Sequence, residues 1–298
     1  MAARFKGRKA PAKEARKILV RQIEKALPSL QSRHATDSCI HDARKRIKMA
    51  RATLRLLRKE VTKSEYRAEN SCLRDAARPL SEARDAVVLQ KAFNDLLKQS
   101  PVRPGAECVA RFGRELAKER ARSRHAMEGR GGLAQAGRVL RDASSQAQHW
   151  NVPRKGWAVV GAGVKNVYDQ GRQALDAVRN SPSDTSFHEW RKQAKYLRHQ
   201  VALLQPVRPK RMDALARALH ELSDQLGDDH DLAVLREKLL ARRSRANDAD
   251  CLLLCVKIDR RRAALQQQAL RLGARIYKEP SRGFHRRLHQ YWRDWRSS

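Results

Sequence analysis

An eleven-residue pattern occurs twice in this chain and confines it to a duplicated helical design. HDARKRIKMAR, from His41 to Arg51, returns as HEWRKQAKYLR, from His188 to Arg198. His41 pairs with His188, Arg44 with Arg191, Lys45 with Lys192, Lys48 with Lys195 and Arg51 with Arg198, each pair 147 residues apart (188 − 41). That offset is close to half of the 298-residue chain, so one unit copied once explains the match better than chance in an Arg-rich sequence. A second echo supports the alignment: SEARDAVVL, Ser81 to Leu89, lies opposite GDDHDLAVL, Gly227 to Leu235, at an offset of 146 (227 − 81). Asp85 thereby matches Asp231.

The helical period shows what the repeat presents. At about 100° per residue, with His41 at 0°, the residues Arg44, Lys45, Lys48, Arg51 and Arg55 fall between roughly −80° and +40°. Ile47, Ala50, Leu54 and Leu57 lie on the opposite side. In the second copy Arg191, Lys192, Lys195 and Arg198 share the basic side with His188, while Trp190, Ala194, Leu197, Val201 and Leu204 form the apolar one. One face packs and the other offers cations.

The remaining chain reads as helices separated by breakers. Residues 1–13 read as a flexible basic tail, and a helix starting near Glu14 is ended or kinked by Pro28. Asp37 or Ser38 caps the first basic helix. Ser64 to Gln99 is a long helix, followed by breaks at Pro101, Pro104 and Gly105, a helix from Glu107 to Glu128, a turn at Gly129–Gly132 and a helix from Leu133 to His149. The stretch Asn151 to Gly156 divides the chain into a first repeat, 14–150, and a second, 151–298. The order then returns as Trp157–Arg179, Ser186–Gln205, Met212–Arg242 and Asp250–Tyr277, before a terminal helix carrying Trp292 and Trp295. No stretch alternates with β-branched enrichment, so the predicted fold is all-α, two related helical bundles side by side.

Lys and Arg number 65 against 32 Asp and Glu, a formal charge of +33, far beyond what solubility requires. Such a chain should bind a polyanion. Its 41% hydrophobic content still supports one large helical core or two smaller ones. The five cysteines (Cys39, Cys72, Cys108, Cys251, Cys255) are odd in number and lack CxxC spacing, which argues against a disulfide framework and a zinc ribbon. The cationic N-terminus runs into no apolar stretch of signal-peptide type, and no later run reaches membrane-spanning length. A cytoplasmic, non-membrane protein is expected, although the basic, acid-poor start also fits an organellar transit peptide.

The doubled H-x-x-R-K-x-x-K-x-x-R pattern, with the Arg84-Asp85 and His230-Asp231 blocks, resembles the CHAD domain, the α-helical domain named for its histidines. The likeness covers nearly the whole chain from residue 14 onward. It implies two four-helix bundles related by an internal pseudo-twofold, with the basic helices facing a shared central groove or pore that binds inorganic polyphosphate without catalysis, and attachment to polyphosphate granules. Carried over by position, the ligand-facing residues are His41, Arg44, Lys45, Lys48, Arg51 and Arg55, with His188, Arg191, Lys192, Lys195 and Arg198. Arg111, Arg114 and Lys118 in the first half and Lys257 and Arg260 in the second are weaker candidates. Arg46 is answered by Gln193, Arg55 by Ala202 and Lys118 by Ala264, which predicts an asymmetric groove with fewer cations in the second half. The E-x-E-x-K strand motif of the triphosphate-tunnel domains often fused to such proteins is lacking, so tunnel-type hydrolysis is not expected. Neither a cofactor nor a metal is implied.

Polyphosphate has charge and oxygen acceptors but no bases. A helical basic stripe suits it: Arg grips two oxygens in a fork, while Lys acts as a mobile point charge. Histidines near helix N-termini should bind more tightly below neutrality, when charged. A nucleic-acid backbone-binding protein is the main alternative, with RNA or DNA in any case a weaker polyanion ligand. That alternative lacks aromatic positions interleaved with the basic stripe. A phosphoanhydride-acting enzyme is the third reading and lacks an ordered metal or nucleophile set.

Several motifs have plainer readings. Asp228, Asp229 and Asp231 suit capping or ion pairs with Arg better than a metal. His230-Asp231 and His41-Asp42 lack the further ligands of an HD hydrolase. Gly161-Ala-Gly163 lacks the strand and later glycine of a dinucleotide loop and suits close helix packing. Cys251 and Cys255, one helical turn apart in an apolar run, read as core.

Overall fold

Prolines and small polar residues set most helix boundaries. The computed structural model describes residues 4–6, 10–31, 35–98, 105–129, 131–152, 156–241 and 248–297. Its helices are α1 (Pro11–Ala26), α2 (Pro28–Gln31), α3 (Asp37–Leu56), α4 (Lys63–Lys98), α5 (Ala106–Gly129), α6 (Gly132–Gln148), α7 (Trp157–Asn180), α8 (Asp184–Leu203), α9 (Pro209–Leu240), α10 (Asp248–Ile276) and α11 (Ser281–Ser297). A 3-10 turn, Gln205–Val207, joins α8 to α9. The described residues contain no strand, so the fold is all-α. The predicted breaks at Pro101 and Pro104 and the predicted helix ends at Gln99 and Arg242 lie outside the described residues.

Proline opens α1 and α9, where its missing N–H costs no intrahelical bond. Thr36, not Asp37 or Ser38, caps α3, its hydroxyl accepting from Cys39 N at 3.2 Å. Asp37 is instead drawn sideways to Arg120 and Arg124 of α5, at 2.8 and 2.9 Å. Ser183 and Ser186 form a capping box at the start of α8. Gly131, with φ of 59°, makes the left-handed turn into α6 that the glycine cluster announced.

The basic tail over residues 1–13 is corrected at its middle. Phe5 is 1% exposed, packs edge-on against Trp292, and donates its N–H to Leu203 O at 3.0 Å. A single aromatic residue stitches this segment to the ends of α8 and α11 despite the cations around it. The first helix also starts earlier than Glu14, at Pro11.

Helix α1 packs on α3 as α7 packs on α8; α3 lies on α4 as α8 lies on α9; α5 lies on α4 as α10 lies on α9; α6 meets α1 as α11 meets α7. Three pairs of counterparts meet across the midpoint among the described residues, α1 with α7, α3 with α8 and α4 with α9. The apolar interior forms two clusters, each fed by both halves of the sequence. The larger includes Leu19, Ile47, Leu54, Val164, Trp190 and Leu197; the smaller joins Leu89, Phe93 and Phe112 to Leu235, Cys251 and Cys255. The thiols of Cys251 and Cys255 are thus core, with Cys251 Sγ 4.0 Å from Cys108 Sγ. At Gly163 an added Cβ would lie 2.6 Å from Leu56 Cα, so glycine there allows α7 to lie directly on α3, as the GAG segment suggested.

Candidate functional site

The crossing of α3 with α8 and of α4 with α9 leaves a cavity of about 530 Å³ between the four helices. Helix α3 contributes Arg44, Lys48 and Arg51; α8 contributes His188, Arg191, Lys192, Lys195, Tyr196 and His199. Arg74, Ser81, Asp85 and Leu89 of α4 and His230, Asp231 and Val234 of α9 complete the wall. The apolar stripe places these side chains. Ile40, Ala43, Ile47, Ala50 and Leu54 are buried on α3, and Phe187, Trp190, Ala194, Leu197 and Val201 on α8, which turns both cationic faces inward to one space.

Two carboxylates at matching positions hold two matching arginines. Arg44 Nη1 donates to Asp85 Oδ1 at 3.0 Å and to the carbonyls of Ser81 and Leu80 at 3.1 and 3.4 Å. Arg191 Nη2 lies 4.0 Å from Asp231 Oδ1. Neither Lys48 nor Lys195 has an ion-pair partner among the described residues. Lys48 keeps solvent access, yet it lies in a concavity: partial desolvation first, then Arg44 and Arg191, lower its pKa to about 8. Desolvation, Arg191 and Lys48 lower that of Lys195 to about 6. His199 is pushed to about 3 by burial and by Arg198, and His230 to about 4 by burial and Arg191. Charge of one sign is thus concentrated here beyond what the fold neutralises.

Histidine follows the same logic. Partial desolvation, then Arg84, lowers the pKa of the exposed His41; burial, then Arg191, lowers that of His188. His188 and His230 rings stand 4.8 Å apart. His188 Nδ1 and Arg191 Nε are buried without a hydrogen-bond partner among the described residues, leaving polar atoms unsatisfied at the cavity wall.

Seven of the eleven principal sequence candidates line the cavity: Arg44, Lys48, Arg51, His188, Arg191, Lys192 and Lys195. His41 and Lys45 are exposed beside it. Arg55 lies 3.7 Å over the ring of Tyr196, a wall residue, without lining the cavity itself, and Arg198 donates to His220 at 3.0 Å. None of Arg111, Arg114, Lys118, Lys257 and Arg260 lines it; α5 and α10, which carry them, pack on α4 and α9 and meet each other in the smaller apolar cluster. The cavity wall takes four Lys or Arg from the first half (Arg44, Lys48, Arg51, Arg74) and three from the second (Arg191, Lys192, Lys195), in the predicted direction but not through the unmatched pairs that prompted the prediction. Arg46 is bound to Asp42 and Gln22, Arg55 covers the Tyr196 ring, and Lys118 is exposed on α5, and none of the three is itself a lining residue.

Arg74, Tyr196, His199 and His230 were missed as wall residues. Arg74 had a signal, since it precedes Ser81 by seven residues and Asp85 by eleven, one face of α4. The acids of α9 act as ion-pair partners: Asp229 accepts from Arg262 and Gln266, both at 2.9 Å, and Asp231 faces Arg191. Among the described residues no group of three or more His, Cys, Asp or Glu is arranged to hold a metal ion. Nor is any described helix long and apolar enough to cross a membrane.

Fold and site together define a helical protein whose interior space is walled by cations from both halves of its chain. The chain belongs to the CHAD domain family, which matches residues 17–240, from α1 to the end of α9. Its fold is similar to that of PptA from Streptomyces chartreusis, at 16% identity and a TM-score of 0.63 over 90% of this chain and 99% of that one. It is also similar to the CHAD domain from the plant Ricinus communis, at 17% identity and a TM-score of 0.65 over 90% of this chain and 89% of that one. No curated protein matches the sequence.

Proposed function

We propose that the protein binds inorganic polyphosphate in the cavity between α3, α4, α8 and α9, holding the chain without converting it. One observation carries the reading: Arg44 and Lys48 from one half and Arg191 and Lys195 from the other line a single space, and both lysines lack carboxylate partners among the described residues. The unpartnered His188 Nδ1 and Arg191 Nε add hydrogen-bonding atoms that phosphate oxygens would satisfy. Membership of the CHAD family supports a phosphate ligand. The matching helix contacts in the two halves support descent from one duplicated bundle, with the cavity near its pseudo-twofold. A cytoplasmic location and attachment to polyphosphate granules follow as parts of the same proposal.

Binding should rest largely on counterion release and weaken steeply with salt. The test compares Lys48→Glu with Lys195→Glu against a control, Lys17→Glu with Lys25→Glu on the exposed side of α1. The cavity pair is expected to weaken long-chain polyphosphate binding far more than the control at near-physiological salt. Equal losses would show diffuse attraction by net charge. In competition, polyphosphate should displace RNA and DNA from the cavity; the reverse order would favour a nucleic-acid ligand there.

A further inference from the structure

The C-terminal helix, beyond the residues matched by the family, carries a second cationic line. Arg282, Arg286, His289, Arg293 and Arg296 follow at spacings of four, three, four and three and are all exposed. They fall within about 40° of one line along α11, over about 21 Å. Phe284, Leu288 and Trp292 are buried on the other side, where α11 packs on α7. The apolar face is therefore committed to the core and has nothing left to insert into a lipid surface. Arg282, Arg286 and Arg296 have no ion-pair partner among the described residues. Glu279 is engaged instead by Arg287, off the line, at 2.7 Å.

The tyrosine of the cavity wall, Tyr196, is 9% exposed and its ring is covered by Arg55, whereas this line carries an exposed ring, His289. The His289 imidazole lies parallel to the Trp157 indole, 4° between planes and 5.9 Å between centroids. Trp157 Nε1 donates to His285 Nε2 at 3.0 Å, which fixes the indole. Beside these rings is a hollow of about 430 Å³ lined by Trp157, His289, Trp292, Arg293, Arg296 and Ser297, none of which lines the polyphosphate cavity. A bare phosphate chain would use only the guanidinium groups. A strand bearing bases would use the rings as well, since every base has a face that stacks on an aromatic surface.

We propose that this face of α11 binds single-stranded nucleic acid. Arg282, Arg286, Arg293 and Arg296 contact its phosphates, and a base stacks on the exposed face of His289 at the mouth of the Trp157 hollow. The site is independent of the cavity, so both polyanions bind at once.

The probe is a dye-labelled single-stranded oligonucleotide of about twenty nucleotides, read by fluorescence anisotropy on the full chain, with polyphosphate binding measured in parallel. Arg286→Glu with Arg293→Glu is expected to weaken the oligonucleotide by about tenfold or more while leaving polyphosphate affinity unchanged. Arg286→Gln with Arg293→Gln serves as the milder version if charge reversal disturbs folding. His289→Ala is expected to weaken the single strand by about fivefold or more and a duplex of equal length much less. The proposal is overturned if the arginine variants bind the oligonucleotide like the parent, if polyphosphate affinity falls in parallel, or if His289→Ala affects single strand and duplex equally. Capture by anionic vesicles that the arginine variants abolish, without oligonucleotide binding, also overturns it.

Discussion

Lys48 and Lys195, 147 positions apart in the sequence (195 − 48), face one cavity, where Lys48 lowers the pKa of Lys195 and Arg191 lowers that of both. Neither has a carboxylate within ion-pair distance among the described residues. On the proposed function, an anion entering between them would offset the crowding of like charges, and the unfavourable charge of the site would become selectivity for a highly charged ligand.

Affinity for polyphosphate should therefore fall as pH rises from 5.5 to 9. In the free protein Lys195 gives up its proton near pH 6 and Lys48 near pH 8. A bound polyanion favours the charged forms, so binding takes up protons over this window; the lowered pKa values of His41 and His188 act in the same direction. A loss of about tenfold or more between pH 6 and pH 9 is expected by titration calorimetry in several buffers. Lys195→Arg, which keeps its charge, should flatten the profile; an unchanged slope would remove Lys195 from the site.

On the proposed function, Asp85 and Asp231 would compete with the ligand for the arginines they face. The Asp85 side chain is 64% exposed, so phosphate can displace it from Arg44 without dismantling the fold. Asp85→Asn is expected to tighten polyphosphate binding by about threefold to tenfold at low salt, and less at high salt. Weaker binding by the variant would mean that the carboxylate aims the guanidinium.

The repeat made the inward faces of α3 and α8 legible because helical periodicity fixes the direction in which each side chain leaves the axis. It did not show how steeply the helices cross. His41, Lys45 and Arg55 share the predicted arc with Lys48, yet two stand outside the wall and the third turns to Tyr196. Arg111 and Lys257 show the same gap: their matching offset relates them to each other but not to the cavity. His199 and His230 reach the wall through α8–α9 packing, which local pattern does not report. Phe5 was illegible because a lone apolar residue among cations has no period.

Gly163→Ala should destabilise the fold while leaving the cationic wall chemically intact. The new methyl would meet Leu56 Cα at 2.6 Å and Leu56 O at 2.7 Å, both backbone atoms, so α7 must move off α3. A loss of about 1–3 kcal/mol is expected in urea unfolding. A neutral result would show that the two helices can separate without cost.

Glu69 provides a stability test separate from the ligand. It is 1% exposed on α4, both carboxylate oxygens lack a hydrogen-bond partner among the described residues, and burial raises its pKa to about 7. The folded state therefore holds a proton that the unfolded chain releases near pH 4.5, the ordinary value for this side chain. Between those values the native form binds more protons, so this residue's contribution to stability falls as pH rises from about 4.5 to about 7 and stays low above. Glu69→Gln, neutral at every pH, should gain about 1–3 kcal/mol over the parent at pH 8 and little at pH 4.5. Paired chemical-denaturation curves at the two pH values measure the difference directly. An equal gain at both would mean that shape, not charge, limits stability at this position, and a loss at pH 8 would mean that the buried carboxylate is held by its surroundings in the ionised form.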